Sequence, residues 1–425
     1  MINFQEMTKE ELLKERESLE AAYREAQKRG LALNMARGKP ASAQLDISNP
    51  ILNALTPDSD FKSVDGDVRN YGVLEGITEA REFMAQIMGC DKKEVIMGGN
   101  ASLTLMFDMV CRSFTHGVMG NTPWYKLDKV KFLCPVPGYD RHFSITEHFG
   151  IEMINIPMTA TGPDMDMVEQ YVNNDESVKG IWCVPKYSNP QGITYSDETV
   201  KRFANLKPAA ADFRIYWDNA YAEHHLYADD QDELLNIMVE CKKAGNDDMV
   251  YQFASTSKMS LAGAGISAVA ASEANVASLL KLMNAQLISH DKVNQLRHVR
   301  YFKDINGLRD HMMKQADILR PKFEMLLKMF DEELKGIGAG SWFTPKGGYF
   351  ITYETIPGCA RRVIQLAKEA GMTMTGAGAP FPYGKDPEDT VIRIAPSLPP
   401  MAELEEAGKL FVICVKLATV EKLLA

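Results

Sequence analysis

Between about residues 92 and 270, short apolar runs alternate with segments whose apolar residues recur at helical spacing. The apolar runs predict buried strands at residues 94–97, 130–134, 151–156, 181–184, 214–217, 249–253 and 267–270. The amphipathic segments predict helices at residues 103–114, 165–172, 197–206 and 233–244. Strands that alternate with helices form largely parallel sheets. The pattern therefore predicts an α/β fold with a mostly parallel, seven-stranded sheet flanked by helices.

The two ends of the chain have a different pattern. Thr8 and Glu11 have the spacing of a capping box, and the apolar positions after them predict a helix that ends at Gly30. A long helical pattern runs from about residue 307 to residue 335, and we place a domain boundary within it. We expect an N-terminal segment at 1–55, a large domain at 56–315 and a C-terminal domain at 316–425.

Charge and composition exclude several classes of function. The 47 Lys and Arg residues against 57 Asp and Glu residues give a net charge of −10, which disfavours a general role on nucleic acid or anionic membrane. The seven cysteines form no C-x-x-C pair, so we expect neither a disulfide framework nor a zinc site. The adjacent His224 and His225 are interpreted as structural, and no metal is expected. Without a visible secretion signal or an apolar tract near the roughly 18 residues of a membrane span, we predict a cytoplasmic protein.

Five of the predicted strands are followed by residues with unusual chemistry. Ligands of open parallel sheets bind at the carboxyl ends of the strands, so such residues are expected to meet. Each one alone is more typical of a turn, a helix cap or a solvated surface. Together they supply a helix start that suits a phosphate at residues 98–102, an aromatic ring at Tyr139, an amide at Asn189, a carboxylate and a phenol at Asp218 and Tyr221, and an amine at Lys258.

These groups match the needs of pyridoxal 5'-phosphate. That cofactor requires an amine for covalent attachment and a carboxylate that keeps its pyridine nitrogen protonated. It also requires donors for its phenolate oxygen and a site for its phosphate. Each need has a candidate at one of the five strand ends. The sequence therefore predicts an enzyme that uses pyridoxal 5'-phosphate.

Three motifs, in order and spacing, carry a resemblance to a known family. Residues 189–192 read N-P-x-G, residues 218–221 read D-x-x-Y and residues 255–258 read S-x-S-K. The chain resembles the fold type I, class I/II aminotransferases, which depend on pyridoxal phosphate, over essentially its whole length. The resemblance implies a large cofactor-binding domain and a smaller α+β domain to which both chain ends contribute.

The resemblance also implies roles for individual residues. Lys258 would form the Schiff base with the cofactor, and Asp218 would pair with the pyridinium nitrogen. Asn189 and Tyr221 would bind the phenolate oxygen, and Tyr139 would stack on the ring. The phosphate would be held by Asn100, Ala101, Ser102, Ser255 and Ser257.

Substrate and partner contacts are implied in the same way. Arg393 stands inside an apolar run, where arginines serve structural ion pairs about as often as ligands. In the family the matching arginine binds the substrate α-carboxylate bidentately, and Gly38 matches a glycine close to that carboxylate. Tyr71 matches a tyrosine that reaches the phosphate of the partner subunit, which implies a homodimer. One feature departs from the family: residues 259–270 contain neither Arg nor Lys, where a phosphate-binding arginine is usual.

The motifs at residues 36–40, 137–142 and 255–258 most resemble a less common bacterial subgroup of aspartate aminotransferases. We therefore predict ping-pong transfer of an amino group from an L-amino acid, with aspartate as first choice, to 2-oxoglutarate, with Lys258 moving the proton. The cation that would bind the substrate side chain is left open among Arg37, Lys39, Arg141 and Lys186.

Other functions are weighed against this one. A broad-specificity transaminase and a pyridoxal-phosphate-dependent C–S β-lyase are the alternatives, because one scaffold supports several reactions. An aminotransferase-like transcriptional regulator is disfavoured because the N-terminal pattern is one acidic helix and not a basic DNA-binding module. A nicotinamide-dependent dehydrogenase is disfavoured because the G-x-G-x-x-G fingerprint is missing.

Overall fold

A computed structural model describes residues 2–425 of the chain. None of the helices in this range combines the length and apolarity that a bilayer span needs, and the predicted cytoplasmic location stays a prediction. The α-helices are α1 (Lys9–Lys28), α2 (Ser42–Ser48), α3 (Thr78–Met88), α4 (Ser102–His116), α5 (Asp140–His148), α6 (Met165–Asn174), α7 (Asp197–Ala204), α8 (Ile237–Ala244), α9 (Glu273–Met283), α10 (Lys292–Phe302), α11 (Ile305–Glu333), α12 (Ala360–Glu369) and α13 (Met401–Leu424).

The strands divide among one large sheet and three small ones. They are β1 (Leu33–Asn34), β2 (Lys62–Ser63), β3 (Gly66–Asp67), β4 (Val95–Met97), β5 (Lys131–Val136), β6 (Glu152–Thr159), β7 (Gly162–Pro163), β8 (Val178–Cys183), β9 (Arg214–Asp218), β10 (Val250–Ser255), β11 (Ser267–Ala270), β12 (Gly340–Trp342), β13 (Ile351–Thr355), β14 (Met372–Thr373) and β15 (Val391–Ile394).

The large sheet has the strand order β4-β11-β10-β9-β8-β5-β6-β7. Neighbours from β10 to β6 all pair in parallel, whereas β11 and β7 run antiparallel to their neighbours. Seven of the eight strands are those that the sequence predicts. The eighth is β7, which has only two residues and therefore leaves no apolar run to detect. The predicted α/β class and the mostly parallel sheet are confirmed.

Both faces of the large sheet are buried. On β9, Trp217 packs into the apolar core on one face and Tyr216 into the core on the other. Strands that are covered on both faces are apolar along most of their length. Polar side chains that bind ligands are therefore confined to the ends of these strands, which is where the sequence places them.

Residues from both chain ends form a second core. The strands β12, β13 and β15 make an antiparallel sheet, and β1 pairs in parallel with β14. Helix α1 begins with the predicted capping box at Thr8 and buries Tyr23 in the same core as Phe411 of α13. The predicted N-terminal helix is thus confirmed. The domain limits near residues 55 and 315 stay a prediction.

Helix α11 connects the two cores. It is 29 residues long and contains Pro321 in its interior. Leu308 and Met312, near its N-terminus, pack into a core of the large sheet. Phe323 and Phe330, after the proline, pack into the core that the chain ends form. One helix therefore belongs to both halves of the molecule.

Candidate active site

Two loops, at the ends of β4 and β10, are tied together by hydrogen bonds. Asn100 Oδ1 accepts from the Gly265 N–H at 2.6 Å, and Asn100 Nδ2 donates to the Ala262 carbonyl oxygen at 3.1 Å. Ser257 Oγ donates to the Asn100 carbonyl oxygen at 2.5 Å. A Cβ atom on Gly265 would lie 2.8 Å from the Ser257 nitrogen, which is too close for any side chain. The two loops therefore fix each other in position.

Helix α4 begins at this pair of loops. Its N-cap residue is Ala101, which makes no side-chain hydrogen bond to the first turn, and the next residue, Ser102, is buried. First-turn N–H groups that lack a cap, together with the helix dipole, favour an anion. Ser255 ends β10 on the other loop. All five predicted phosphate-binding residues thus lie on two joined loops at one end of the sheet.

No arginine or lysine lies in residues 259–270, as the sequence shows. Close to the loops, a Cβ atom built on Gly99 would lie 3.9 Å from Nδ1 of His290. Burial lowers the pKa of His290, and the Asp108 carboxylate opposes this effect. A bound anion would favour the charged form of this ring.

Asp218 is a buried carboxylate at the carboxyl end of β9, with 3% of its surface exposed. Its Oδ2 lies 3.0 Å from Nε2 of His142. Its Oδ1 is buried and has no hydrogen-bond partner among residues 2–425. Because buried acceptors are almost always paired, an unpaired carboxylate oxygen here fits a ligand that donates an N–H group.

The sequence did not single out His142 as a site residue. Its ring is almost fully buried and stacks on Trp182 at a centroid distance of 4.5 Å. The ring of Tyr139 meets it edge-on at 4.9 Å. The spacing was the available signal that His142 lies beside Tyr139, because it follows the N-cap residue of α5 by about one helical turn. A lone histidine on an amphipathic helix does not reveal a partner 76 residues away.

Six of the predicted residues line one cavity of about 350 Å³. They are Gly38, Tyr139, Asn189, Tyr221, Lys258 and Arg393. Three different regions of the chain therefore converge on this space: the N-terminal segment, the large sheet and strand β15.

Lys258 lies in this cavity against an aromatic ring. Its Nζ is 5.2 Å from the centroid of Tyr221, and its carbonyl oxygen accepts from the Tyr349 hydroxyl at 3.4 Å. Burial lowers the pKa of Lys258, and the Asp218 carboxylate opposes this effect. The amine is therefore closer to its neutral, nucleophilic form than a surface lysine is.

The two tyrosines of the site stay protonated. Burial raises the pKa of Tyr139 to about 12, with further contributions from Asp218 and Asp140. Burial also raises the pKa of Tyr221 well above its usual value. Both phenols can therefore act as hydrogen-bond donors at neutral pH.

Arg393 is held on β15 with 8% of its surface exposed. Its Nη1 donates to Asp140 Oδ1 at 2.9 Å and to Asn189 Oδ1 at 3.3 Å. Its guanidinium carbon lies 5.1 Å from the centroid of Phe350. Gly38 packs on the same ring, where a Cβ atom would come within 2.5 Å of the ring carbon Cζ. The aromatic ring thus brings the glycine and the arginine to one wall of the cavity.

Three of the four candidate side-chain cations line this cavity. Arg37, Lys39 and Arg141 are exposed on its walls and form no ion pair within residues 2–425. The structure contradicts the fourth candidate, Lys186. Its Nζ donates to the Ala222 carbonyl oxygen at 2.9 Å, and it lines a separate cavity. The turn after β8 points this lysine away from the site that Asn189 enters.

Tyr71 is separate from the other predicted residues. It is 81% exposed and does not line the cavity. It lies on the surface beside residues 289–293.

The chain is similar to known aminotransferases over nearly its whole length. The sequence profile described as aspartate amino-transferase matches residues 7–425. An aspartate aminotransferase of Corynebacterium glutamicum is 46% identical over 407 residues, which are 95% of this chain and 94% of that protein. The crystal structure of an aspartate transaminase from Corynebacterium glutamicum has a TM-score of 0.96 and 44% identity, with 99% of both chains covered.

A more distant structure shows how widely the fold is shared. The α-aminoadipate aminotransferase of Thermus thermophilus, complexed with N-(5'-phosphopyridoxyl)-L-leucine, has a TM-score of 0.72 at 19% identity and covers 93% of this chain and 95% of that chain. At that identity the likeness concerns the fold alone. The profile match and the 46% identical relative carry the assignment, and the chain belongs to the aspartate aminotransferase family, as a fold type I aminotransferase.

Proposed function

We propose that this aminotransferase uses pyridoxal 5'-phosphate to move an amino group between L-aspartate and 2-oxoglutarate. The observation that carries the proposal is the unpaired, buried Oδ1 of Asp218 close to the amine of Lys258. A carboxylate that is fixed by His142 and has one oxygen free fits a protonated pyridine nitrogen. The relative that is 46% identical is named an aspartate aminotransferase, which supports the choice of substrate.

The residues of this site fit the cofactor. Lys258 would attach it, Asp218 would bind its ring nitrogen, and Tyr139 would cover its ring. Asn189 and Tyr221 would bind its phenolate oxygen. Its phosphate would be bound by Asn100, Ala101, Ser102, Ser255 and Ser257. When bound, the cofactor supplies an electron sink that stabilises negative charge on the substrate Cα atom.

The chain itself supplies the proton transfer. Once the amine of Lys258 is neutral, its Nζ is the base that takes the proton from the substrate Cα atom. Burial favours this neutral form. His142 holds Asp218 in place, and the protonated Tyr221 would donate a hydrogen bond to the phenolate oxygen of the cofactor. Because donor and acceptor would both bind through Arg393 and react at Lys258, they would use the cavity in turn, as a ping-pong cycle requires.

The charges of the cavity favour a dicarboxylate. Arg393 would bind the α-carboxylate, because a guanidinium fork matches that group geometrically. Arg37, Lys39 and Arg141 remain as cations for a second carboxylate. A neutral side chain would leave all three without an anionic partner.

A panel of amino donors tests the substrate. Each L-amino acid is incubated with the holoenzyme and 2-oxoglutarate, and both products are measured by mass spectrometry. We expect aspartate to give the highest kcat/KM and to yield glutamate in equal amount with oxaloacetate. Release of pyruvate and ammonia from a β-substituted amino acid, with no glutamate formed, would instead identify a β-lyase.

We expect Arg393→Ala to weaken the use of amino and oxo acids by at least about tenfold, since it removes a charge-assisted pair. Arg393→Lys should recover only part of the loss. Cofactor absorbance should stay close to wild type in both variants. The loss should be equal for aspartate and alanine, which share the α-carboxylate. A defect confined to aspartate would place Arg393 in the side-chain pocket instead.

The proposed assembly is a homodimer in which Tyr71 reaches the cofactor phosphate of the partner subunit. Its exposure of 81% supports this role, since a tyrosine so exposed has no packing function in its own chain. We expect a dimer in analytical ultracentrifugation. Tyr71→Phe should keep the dimer but speed cofactor loss by about five- to tenfold, the worth of one hydrogen bond. Tyr125→Phe, which alters another exposed tyrosine, is the control. Unchanged cofactor retention in Tyr71→Phe would remove this role.

A further inference from the structure

The guanidinium group of Arg393 already has a carboxylate partner in this structure. Asp140 Oδ1 lies 2.9 Å from Nη1, and the two side chains are 9% and 36% exposed. Asp140 is the first residue of α5 and lines the same cavity as Arg393. Both partners of this ion pair therefore line the space that a substrate would enter.

The two partners differ in how firmly they are held. Arg393 is buried, donates a second hydrogen bond to Asn189 and packs on Phe350. Asp140 is more exposed, and Arg393 is the basic group with which it forms an ion pair in residues 2–425. A buried guanidinium needs an anion, whereas a partly exposed carboxylate exchanges its partner for water at little cost. Asp140 is thus the movable member of the pair.

We propose that Asp140 is a built-in competitor for the α-carboxylate of the substrate. Its carboxylate occupies Arg393 in the free enzyme, and substrate binding exchanges one ion pair for another. The proposal rests on the proposed function, in which Arg393 binds the α-carboxylate. No covalent bond changes in this exchange.

The exchange would set both affinity and selectivity. The contribution of Arg393 to substrate binding is the difference between the free energies of two ion pairs, one with the substrate and one with Asp140. Arg393 therefore binds a carboxylate less tightly than it would without Asp140. A ligand without a carboxylate gains nothing from Arg393, because it cannot replace a charged partner. When product leaves, Asp140 also competes with the product carboxylate for Arg393, which favours release. Asp140 is a positioning residue in this scheme, since it acts through Arg393.

Calorimetric titration of the holoenzyme tests the competition without turnover. The probes are succinate and its monoamide succinamate, which have the same shape but carry two carboxylates and one. Asp140→Asn keeps the shape of the side chain and removes its charge. We expect the Kd of both probes to fall by about three- to tenfold in this variant, the worth of a partly exposed ion pair. In steady-state assays KM should fall by a similar factor while kcat does not rise.

The matched control is Glu147→Gln, which removes one negative charge from an exposed position on the same helix. It should leave both Kd values unchanged, because Glu147 forms no ion pair in residues 2–425. Asp140→Ala is the second variant and should tighten binding as well. Cofactor absorbance and the melting temperature show that each variant retains its site.

Three results would overturn the competition. The first is an unchanged or weaker affinity in both Asp140 variants while the wild type binds the probes. The second is a gain for succinate alone, which would place Asp140 at the side-chain pocket. The third is equal tightening in Glu147→Gln, which would make the effect a matter of net charge. If the wild type binds neither probe, the role of Arg393 fails together with that of Asp140.

Discussion

The Lys258→Ala variant is expected to fold normally and to lose at least about 10⁴-fold in kcat/KM, because it removes both the attachment point and the proton-transfer group. Borohydride reduction of the wild-type holoenzyme should fix the cofactor irreversibly on Lys258, and peptide mapping by mass spectrometry identifies the labelled residue. The variant should give no labelled peptide.

Two controls make this result specific. Lys281→Ala changes an exposed lysine on α9 and should keep full activity and the label on Lys258. Lys186 is also a lysine whose pKa burial lowers, yet it lies outside the site, so its peptide should stay unlabelled. A label on Lys186, or on any lysine other than Lys258, would show that the central assignment is wrong.

The second large effect is expected at Asp218. Asp218→Asn keeps a hydrogen-bonding group next to His142 but removes the negative charge that would hold the ring nitrogen protonated. We expect the chemical step to slow by roughly 10²- to 10³-fold, as on loss of one preorganised electrostatic group. Asp218→Glu should retain more activity, because it keeps the charge.

Single-turnover kinetics measure this effect separately from substrate binding. The half-reaction of the holoenzyme with aspartate should slow in Asp218→Asn, while the Kd for succinate stays within about threefold of wild type. The opposite pattern, with normal turnover and weak succinate binding, would assign Asp218 to substrate binding and not to the cofactor.

The local pattern of the sequence was sufficient for the large sheet and for the residues at its strand ends. Runs such as 215–217 are apolar because both sheet faces are covered, and the ends of parallel strands meet by geometry. Lys258, Asn189 and Tyr221 therefore come together in one cavity, as expected. The phosphate loops follow from the same rule, although the hydrogen bonds between Asn100 and Gly265 do not.

Contacts across long stretches of chain could not be predicted. The pair of Arg393 with Asp140 joins residues 253 positions apart, and the pair of His142 with Asp218 joins residues 76 positions apart. Neither involves a periodic pattern or a special turn, so neither leaves a local signal. Lys186 was misjudged for a related reason. The backbone conformation of the turn after β8 decides where its side chain points, and no local sequence pattern predicts that conformation.

Pro321 gives helix α11 one point of reduced stiffness. Proline has no N–H group, so the helix lacks one main-chain hydrogen bond there, and its ring disfavours a straight continuation. Leu308 and Met312, near the start of the helix, pack with the core that contains Met259, the neighbour of Lys258. Leu319 and the buried apolar residues after Pro321 pack with the core that contains the strand of Arg393. Bending of the helix at Pro321 would therefore change the distance between the Lys258 amine and the Arg393 guanidinium. The length of substrate that fits between them would then depend on a residue outside the cavity.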